Sequence, residues 1–376
     1  MQDKQETLGQ YFTKIEIVKK LLDLLFCYKK YNKDIEILEP SSGTGNFIKI
    51  LRQKGFRNVD DCEIDSELTK KPFDFFNLSL KNKYDFIVGN PPFSKYNVAD
   101  SYFSPKRYLK SEALLVDYLT KTELKKEKEK IENAFILKSL RHLRDKDSTI
   151  GFVLPISFFI KNKNKNIKNE ISKHFSTIII YQNDKIWFDR NIPCCFAIFT
   201  NVEKLKDEII LIYENSQKNE EIFNIKNLHE ELIPQIVFHK NNGYIKNDKG
   251  IPLKEYLEDK NIKIKKSYKE NNVSAKNILA KNKIPSGKSV EDYKIAVVRV
   301  GNASVGKCGL INAKRDTLND MFYIFDVKDR YKKNKQMKEI ICKQINERID
   351  YFRNITCRVG SKSIKKEDIY NFKVII

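Results

Sequence analysis

The chain has 376 residues, 41% hydrophobic and 32% charged, which suits about two or three domains and argues against global disorder. Seven cysteines without a CxxC pair and four scattered histidines without HExxH exclude a secreted disulfide scaffold, a zinc ribbon and a histidine-built metal site. The formal net charge is +21, and residues 240–376 hold 32 Lys and Arg against 16 Asp and Glu, a net +16. A lysine-rich coding bias would load both parts alike, so this concentration points to a C-terminal domain that binds a polyanion.

In chain order, Ile15, Val18, Leu21, Leu22 and Leu25 recur at helical spacing and predict a helix over 15–28. A strand follows at Ile35–Leu38, then a Ser/Gly-rich turn and a helix from Asn46 to about Lys54. Apolar runs predict further strands at Val59–Ile64 and Tyr84–Val88, the latter ending in Gly89-Asn90-Pro91-Pro92. Residues 94–130 form a long polar segment of the kind that serves as a lid or binding loop. A helix at 130–144, a strand at Thr149–Leu154, a helix at 163–174 and strands at Thr177–Tyr181 and Cys194–Thr200 come next. Strands alternating with helices predict an α/β domain with a doubly wound, mainly parallel sheet, whose ligands bind beyond the carboxyl ends of the strands. Residues 201–250, with weak patterns and an Asn241-Asn242-Gly243 turn, read as the exit from that domain. The boundary is placed between residues 235 and 236. Beyond it come strands at Ile295–Val300 and Met321–Val327. One amphipathic helix aligns Met337, Ile341, Ile345, Ile349 and Phe352, so a smaller α+β domain is expected. No apolar run approaches the roughly 18 residues of a membrane helix, and the polar start lacks a secretory signal. An intracellular protein working without a metal is therefore expected.

Three motifs carry chemistry. Glu39-Pro40-Ser41-Ser42-Gly43-Thr44-Gly45-Asn46-Phe47 follows a strand and opens a helix. Its glycines permit a tight turn and close ligand approach, and N–H groups at the helix start can face that ligand. No Gly-Lys-Ser/Thr follows, so it is not a Walker loop. Glu63 ends the second strand, where an acid commonly bonds the ribose hydroxyls of an adenosine cofactor; the neighbouring Asp65 better suits a helix N-cap. Asp74 beside Phe75 could accept from an adenine amino group while an aromatic ring stacks. Asn90-Pro91-Pro92-Phe93 is the sharpest signal, because it stands where an α/β sheet places its site. Its prolines fix the backbone so that the Asn90 side-chain oxygen and the Pro91 carbonyl converge on one amino group. Two acceptors there raise lone-pair density on the nitrogen, which can then attack an electrophilic methyl in line. Phe93 supplies a face for a planar base.

With Gly9-Gln10-Tyr11-Phe12-Thr13 ahead of the loop, these motifs resemble the gamma-class, Taq-type N6-adenine DNA methyltransferases. The resemblance extends over about residues 8–200, through Asn133-Ala134-Phe135 and Gly151–Pro155. It implies a class I methyltransferase fold, with S-adenosylmethionine bound by Thr13, Glu39, Ser41, Glu63, Ile64, Asp74 and Phe75 around Gly43 and Gly45. It also implies that Asn90, Pro91 and Pro92 present an adenine N6, with Phe93 stacking on the flipped base. Ile186-Trp187-Phe188-Asp189 matches the segment bearing a second stacking aromatic; Phe188 is preferred, with Trp187 as the alternative. The partner implied is double-stranded DNA, and the target base must leave the duplex because its amino group is paired there. With the first motif so near the start, no fused nuclease is expected ahead of it, and a cognate restriction endonuclease would be a separate protein. Lys263, Lys265, Lys266 and Lys362 are the expected DNA contacts, Lys362 within Gly360–Ile364, which resembles type I specificity subunits. Competing readings are methylation of a protein glutamine, of adenine in RNA, or a non-catalytic DNA specificity module. The basic C-terminal part disfavours the first, and intact catalytic positions disfavour the last.

Overall fold

A computed structural model describes residues 9–93, 131–241, 250–258, 271–356 and 362–376, which divide into two compact units at Pro234/Gln235. The 94–130 segment, Asn242 and Gly243 of the expected turn, Lys263, Lys265, Lys266, Gly360 and Ser361 lie outside the described residues.

The first unit is built on an eight-stranded sheet. Its strands are β1 (Ile37–Glu39), β2 (Val59–Asp61), β3 (Phe86–Gly89), β4 (Thr149–Pro155), β5 (Thr177–Asn183), β6 (Cys194–Thr200), β7 (Glu208–Glu214) and β8 (Lys218–Asn224). They lie in the order β2-β1-β3-β4-β6-β5-β7-β8. β6 runs antiparallel to both its neighbours and β8 antiparallel to β7; all other pairings are parallel. Every residue of β4, β5 and β6 is buried, as expected of strands covered on both faces. β8 alternates exposed and half-buried positions and closes the sheet with a polar, Glu-bearing edge.

The 201–250 region differs from expectation. Ile209–Ile212 form the middle of the buried strand β7, so the sheet extends two strands beyond the predicted exit. A further helix, Pro234–Asn241, spans the division between the units. The predicted strand ends are also trimmed: β2 stops at Asp61, and the chain then leaves the sheet to carry Glu63 outward.

Helix α1 (Ile15–Tyr28) packs Ile17, Val18, Leu21, Leu22 and Leu25 into the core. No side chain caps its start. Instead the Lys14 N–H donates to the Trp187 carbonyl at 3.0 Å, which ties the preceding Gly9–Thr13 segment down beside the sheet. Helix α2 (Asn46–Gln53) covers the same face through Phe47, Ile50 and Leu51, whereas α3 (Ile131–His142) and α4 (Lys165–His174) follow later.

The second unit holds a four-stranded antiparallel sheet of β9 (Leu257–Glu258), β10 (Tyr293–Val298), β11 (Cys308–Asn312) and β12 (Phe322–Val327), in the order β9-β12-β10-β11. Against it packs α5 (Lys335–Glu347). The single amphipathic helix expected here is two: α5 ends at Arg348, whose backbone (φ −117°, ψ 32°) is not helical, and α6 (Ile349–Asn354) starts afresh. Met337, Ile341, Ile345 and Phe352 are buried across this break, whereas Ile349 is half-buried. Lys338 is buried beneath α5 and donates to the Val290 and Tyr293 carbonyls at 3.0 and 2.7 Å, with Asp326 at 3.7 Å.

Leu22 is fully buried between α1 and the sheet. Leu22→Ala should destabilise the protein by about 2–5 kcal/mol, read as a lower urea midpoint in equilibrium unfolding.

Candidate active site

In the first unit the chain runs from β1 to β2 on one side, then returns to place β3 on the other side of β1. Ligands of open α/β sheets bind at such a reversal, beyond the carboxyl ends of the strands. An open-mouthed pocket lies there, lined from the ends of β1, β2 and β3, the Gly9–Thr13 segment, the start of α2, and Phe135 of α3.

The turn after β1 is shaped by two left-handed glycines, Gly43 (φ +53°) and Gly45 (φ +74°). A Cβ on Gly43 would stand 3.0 Å from the Phe12 ring, so this position needs both the backbone freedom and the space of glycine. Gly45 is the N-cap of α2 and makes no side-chain cap, which leaves the helix start facing the turn. Asn46 donates from Nδ2 to the Thr13 carbonyl at 2.8 Å and so joins the turn to the N-terminal segment.

Around this turn stand carboxylates. Glu63 accepts from the Gly43 N–H at 2.7 Å and, through its other oxygen, from the Asp65 N–H at 2.8 Å. Each of its oxygens retains a further lone-pair position for a hydroxyl. Asp65 accepts from the Glu67 N–H at 3.0 Å and from Gln10 Nε2 at 3.0 Å; it caps a turn and not the helix expected there. Asp74 accepts from the Phe76 N–H at 2.9 Å and caps the short 3-10 turn that carries Phe75. Phe75 is buried, with its ring 5.2 Å from Phe135. Ile64 is half-buried at the wall. Glu39 at the end of β1 is 2% exposed, and its Oε2 has no hydrogen-bond partner. Burial first, and the Asp61 charge second, hold its carboxyl well above the usual range, against the pull of the Ile48 N–H. Burial and the surrounding aspartates likewise push the Cys62 thiol up to about 12, so it stays neutral.

Across the pocket, Asn90 follows β3. Its Nδ2 donates to the Tyr11 carbonyl, which sets the plane of the amide, and its Oδ1 is buried without a partner. Ser41 Oγ donates to the Asn90 backbone carbonyl at 3.1 Å, joining the loop after β1 to the one after β3. Pro92 lines the pocket, but Pro91, Gly45, Phe93 and Phe188 do not. Phe93 is half-buried beside it, anchored by its N–H to the Gly9 carbonyl at 3.0 Å. Tyr11, Phe93 and Phe188 form a triangle with ring centroids 5.9–6.1 Å apart, Phe93 meeting Phe188 edge-on. Phe188 is 1% exposed, and in this arrangement its ring and that of Phe93 contact each other. Trp187 is also buried, donating to Asn183 at 2.6 Å.

Tyr11, Phe12 and Asn46 escaped the sequence reading. All three act through partners more than thirty residues away, yet they sit inside or beside quoted motifs, which was the available signal. Lys362, in the second unit, donates to the Arg353 carbonyl at 3.1 Å; burial, then the Arg353 charge, lower its pKa. Among the described residues no group of three or more His, Cys, Asp or Glu could hold a metal ion. Nor is any helix among them long and apolar enough to cross a membrane.

Residues 55–275 match the family model described as N-6 DNA Methylase. Type II methyltransferase M.HincII of Haemophilus influenzae is 27% identical over 289 residues, covering 69% of this chain and 53% of that protein. Type II methyltransferase M.HindII of Haemophilus influenzae (strain ATCC 51907 / DSM 11121 / KW20 / Rd) is 29% identical over 239 residues, covering 59% and 42%. The chain thus spans about half the length of the curated relatives it matches. Among solved structures, the Type IIL restriction-modification enzyme MmeI in complex with DNA aligns with a TM-score of 0.47 at 11% identity, over 95% of this chain and 64% of that one.

Gly43→Ala places a side chain at a left-handed φ and against Phe12. A loss of about 1–2 kcal/mol is expected from the backbone conformation alone, measured as a lower thermal midpoint.

Proposed function

Since the chain belongs to the N-6 DNA methylase family, we propose that it transfers the methyl group of S-adenosylmethionine to the N6 amino group of an adenine in a specific double-stranded DNA sequence, as part of a restriction–modification system. The observation that carries this reading is Asn90: an amide held by the Tyr11 carbonyl, with a buried Oδ1 that no protein donor satisfies. A buried acceptor without a partner costs about 1–3 kcal/mol, a cost relieved by a ligand donor such as an aromatic amine.

The residues present fit S-adenosylmethionine. Thr13 Oγ1 and Glu39 Oε2 are likewise buried and unpartnered at the same pocket. Thr13, Glu39 and Ser41 would hold the amino-acid end of the cofactor beside Gly43 and Gly45. Glu63 and Ile64 would hold its ribose, and Asp74 and Phe75 its adenine. The cofactor supplies an electrophilic methyl group. Asn90 Oδ1 and the Pro91 carbonyl would accept from the target amino group and keep its lone pair directed at that methyl. Both acceptors gain strength as the nitrogen becomes positive, so they favour the transition state over the ground state. Phe93 would stack on the flipped base. A second stack from Phe188 requires its ring to leave the contact it makes with Phe93. We further propose that the second unit recognises the DNA sequence, which its excess of positive charge supports, and that a separate cognate endonuclease cuts unmethylated sites.

Asn90→Ala should reduce single-turnover methyl transfer to DNA by about 10²–10³-fold, with S-adenosylmethionine affinity little changed. Retention of most of the rate would refute the role of Asn90. Asp74→Asn keeps an acceptor for the Phe76 N–H but loses one for adenine, so calorimetry should show cofactor binding weakened by about 1–3 kcal/mol. Neutralising Lys263, Lys265 and Lys266 together should flatten the plot of log affinity for DNA against log salt. The slope should fall by about 0.9 for each phosphate these lysines neutralise. The preferred sequence should stay the same in anisotropy titrations.

A further inference from the structure

We infer that Glu39 is a proton-linked receptor for the positive charge of the cofactor: it is neutral in the free protein and gives up its proton to solvent when the cation arrives. This rests on the methyltransferase reading above and deepens it.

The argument begins with placement. Glu39 ends β1 at the point where the strand order reverses, beneath the glycine turn, and only 2% of it is exposed. Its Oε2 faces no donor, and among the described residues no lysine, arginine or histidine pairs with it. Each element packed around it withholds a counter-charge. From β2 come Asp61, which accepts from Ser42 Oγ at 2.7 Å, and beyond it Glu63, which two backbone N–H groups occupy. β3 offers Gly89, whose missing Cβ would stand 3.3 Å from the Glu39 Cγ and leaves room for the side chain. α2 offers only the neutral Ile48 N–H. Thr13 contributes a hydroxyl that is itself unpartnered.

An ionised carboxylate in such a place, desolvated and beside two other acids, is strongly disfavoured, so the carboxyl keeps its proton well above the usual carboxylate range. The cofactor reverses this balance. It carries an ammonium and a sulfonium, and either one placed in the pocket supplies the missing counter-charge. The Glu39 O–H bond then breaks heterolytically: the electron pair stays on the carboxylate and the proton passes to buffer. Binding and proton release become one event. Affinity for the cation should rise about tenfold per pH unit, up to the pH at which Glu39 is already ionised in the free protein. The reaction product, S-adenosylhomocysteine, keeps the ammonium and lacks the sulfonium, so comparing the two ligands tells which charge this carboxyl answers.

The test is calorimetric titration of the full chain with S-adenosylmethionine at a series of pH values from 5 to 8, in buffers of unlike ionisation enthalpy. Release of up to one proton per cofactor is expected for the wild type, and close to none for Glu39→Gln. Infrared difference spectra give a second measurement that does not depend on the variant binding. A protonated-carboxyl stretch, present in the free wild type, should vanish on cofactor addition, and the free Glu39→Gln protein should lack it. Repeating the titration with S-adenosylhomocysteine assigns the cation: release with both ligands supports the ammonium, release with S-adenosylmethionine alone supports the sulfonium. Binding of S-adenosylmethionine without proton release, or the same release from Glu39→Gln, overturns this inference and leaves the methyltransferase reading standing. Failure of the wild type to bind S-adenosylmethionine at any pH overturns both.

Discussion

The carboxyl ends of β1 and β3 meet side by side, and the rest of the site hangs on that meeting. Ser41 and Asn90 are 49 residues apart in the chain, yet one hydroxyl-to-carbonyl bond joins the two loops that follow these strands. Gly89 makes the approach possible, because a side chain there would press on Glu39. From this junction the N-terminal segment is drawn across: Tyr11 to Asn90, Phe93 to Gly9, Asn46 to Thr13, and Lys14 to Trp187. These bonds reach the loop after β3 twice, the start of α2 once and Trp187 once, so the pocket walls are held from several elements and not by any one loop. This is the kind of support that rigid sites need, since a shift of about 1 Å in a reacting group costs orders of magnitude in rate.

The two units handle charge in opposite ways. The chain as a whole is strongly basic, but the pocket of the first unit is walled by Glu39, Glu63 and Asp74, with Asp61 acting on Glu39 from behind. An acidic pocket repels a polyanion and attracts a small cation, whereas the basic surplus beyond residue 240 does the reverse. Some of that surplus is spent internally. Lys338 lies buried against carbonyls and Asp326, and Lys294 pairs with the same carboxylate. Lys281 pairs with the buried Asp316. The Lys281–Asp316 pair already cancels in the net count, and the two lysines on Asp326 hold one unit of the surplus inside the unit.

Aromatic packing beside Asn90 adds a second feature. Tyr11, Phe93 and Phe188 fill the space next to the pocket with rings at contact distance. A planar base entering there must displace one of them, and Phe93, half-buried and next to the double proline, is less deeply packed than Phe188.

Local signals identified most elements of the first unit. Apolar runs marked β1, β3, β4, β5 and β6, and helical spacing marked α1, because burial on a covered sheet or on one helix face leaves a period in the residues themselves. The motif residues could be named for the same reason: the roles of glycine, proline and a strand-end acid depend on their own backbone positions. Other features left no such period. β7 was missed although Ile209–Ile212 is apolar, because what makes it a strand is its pairing with β5, thirty residues earlier. The break at Arg348 is invisible in a pattern that keeps Met337, Ile341, Ile345 and Phe352 buried through it. Sequence by itself determined the α/β class and marked the loop motifs that line the pocket. Only the tertiary structure decided which acceptors are left without partners, since the carbonyl of Tyr11 and the gap at Gly89 act on Asn90 and Glu39 across separations that no local pattern records.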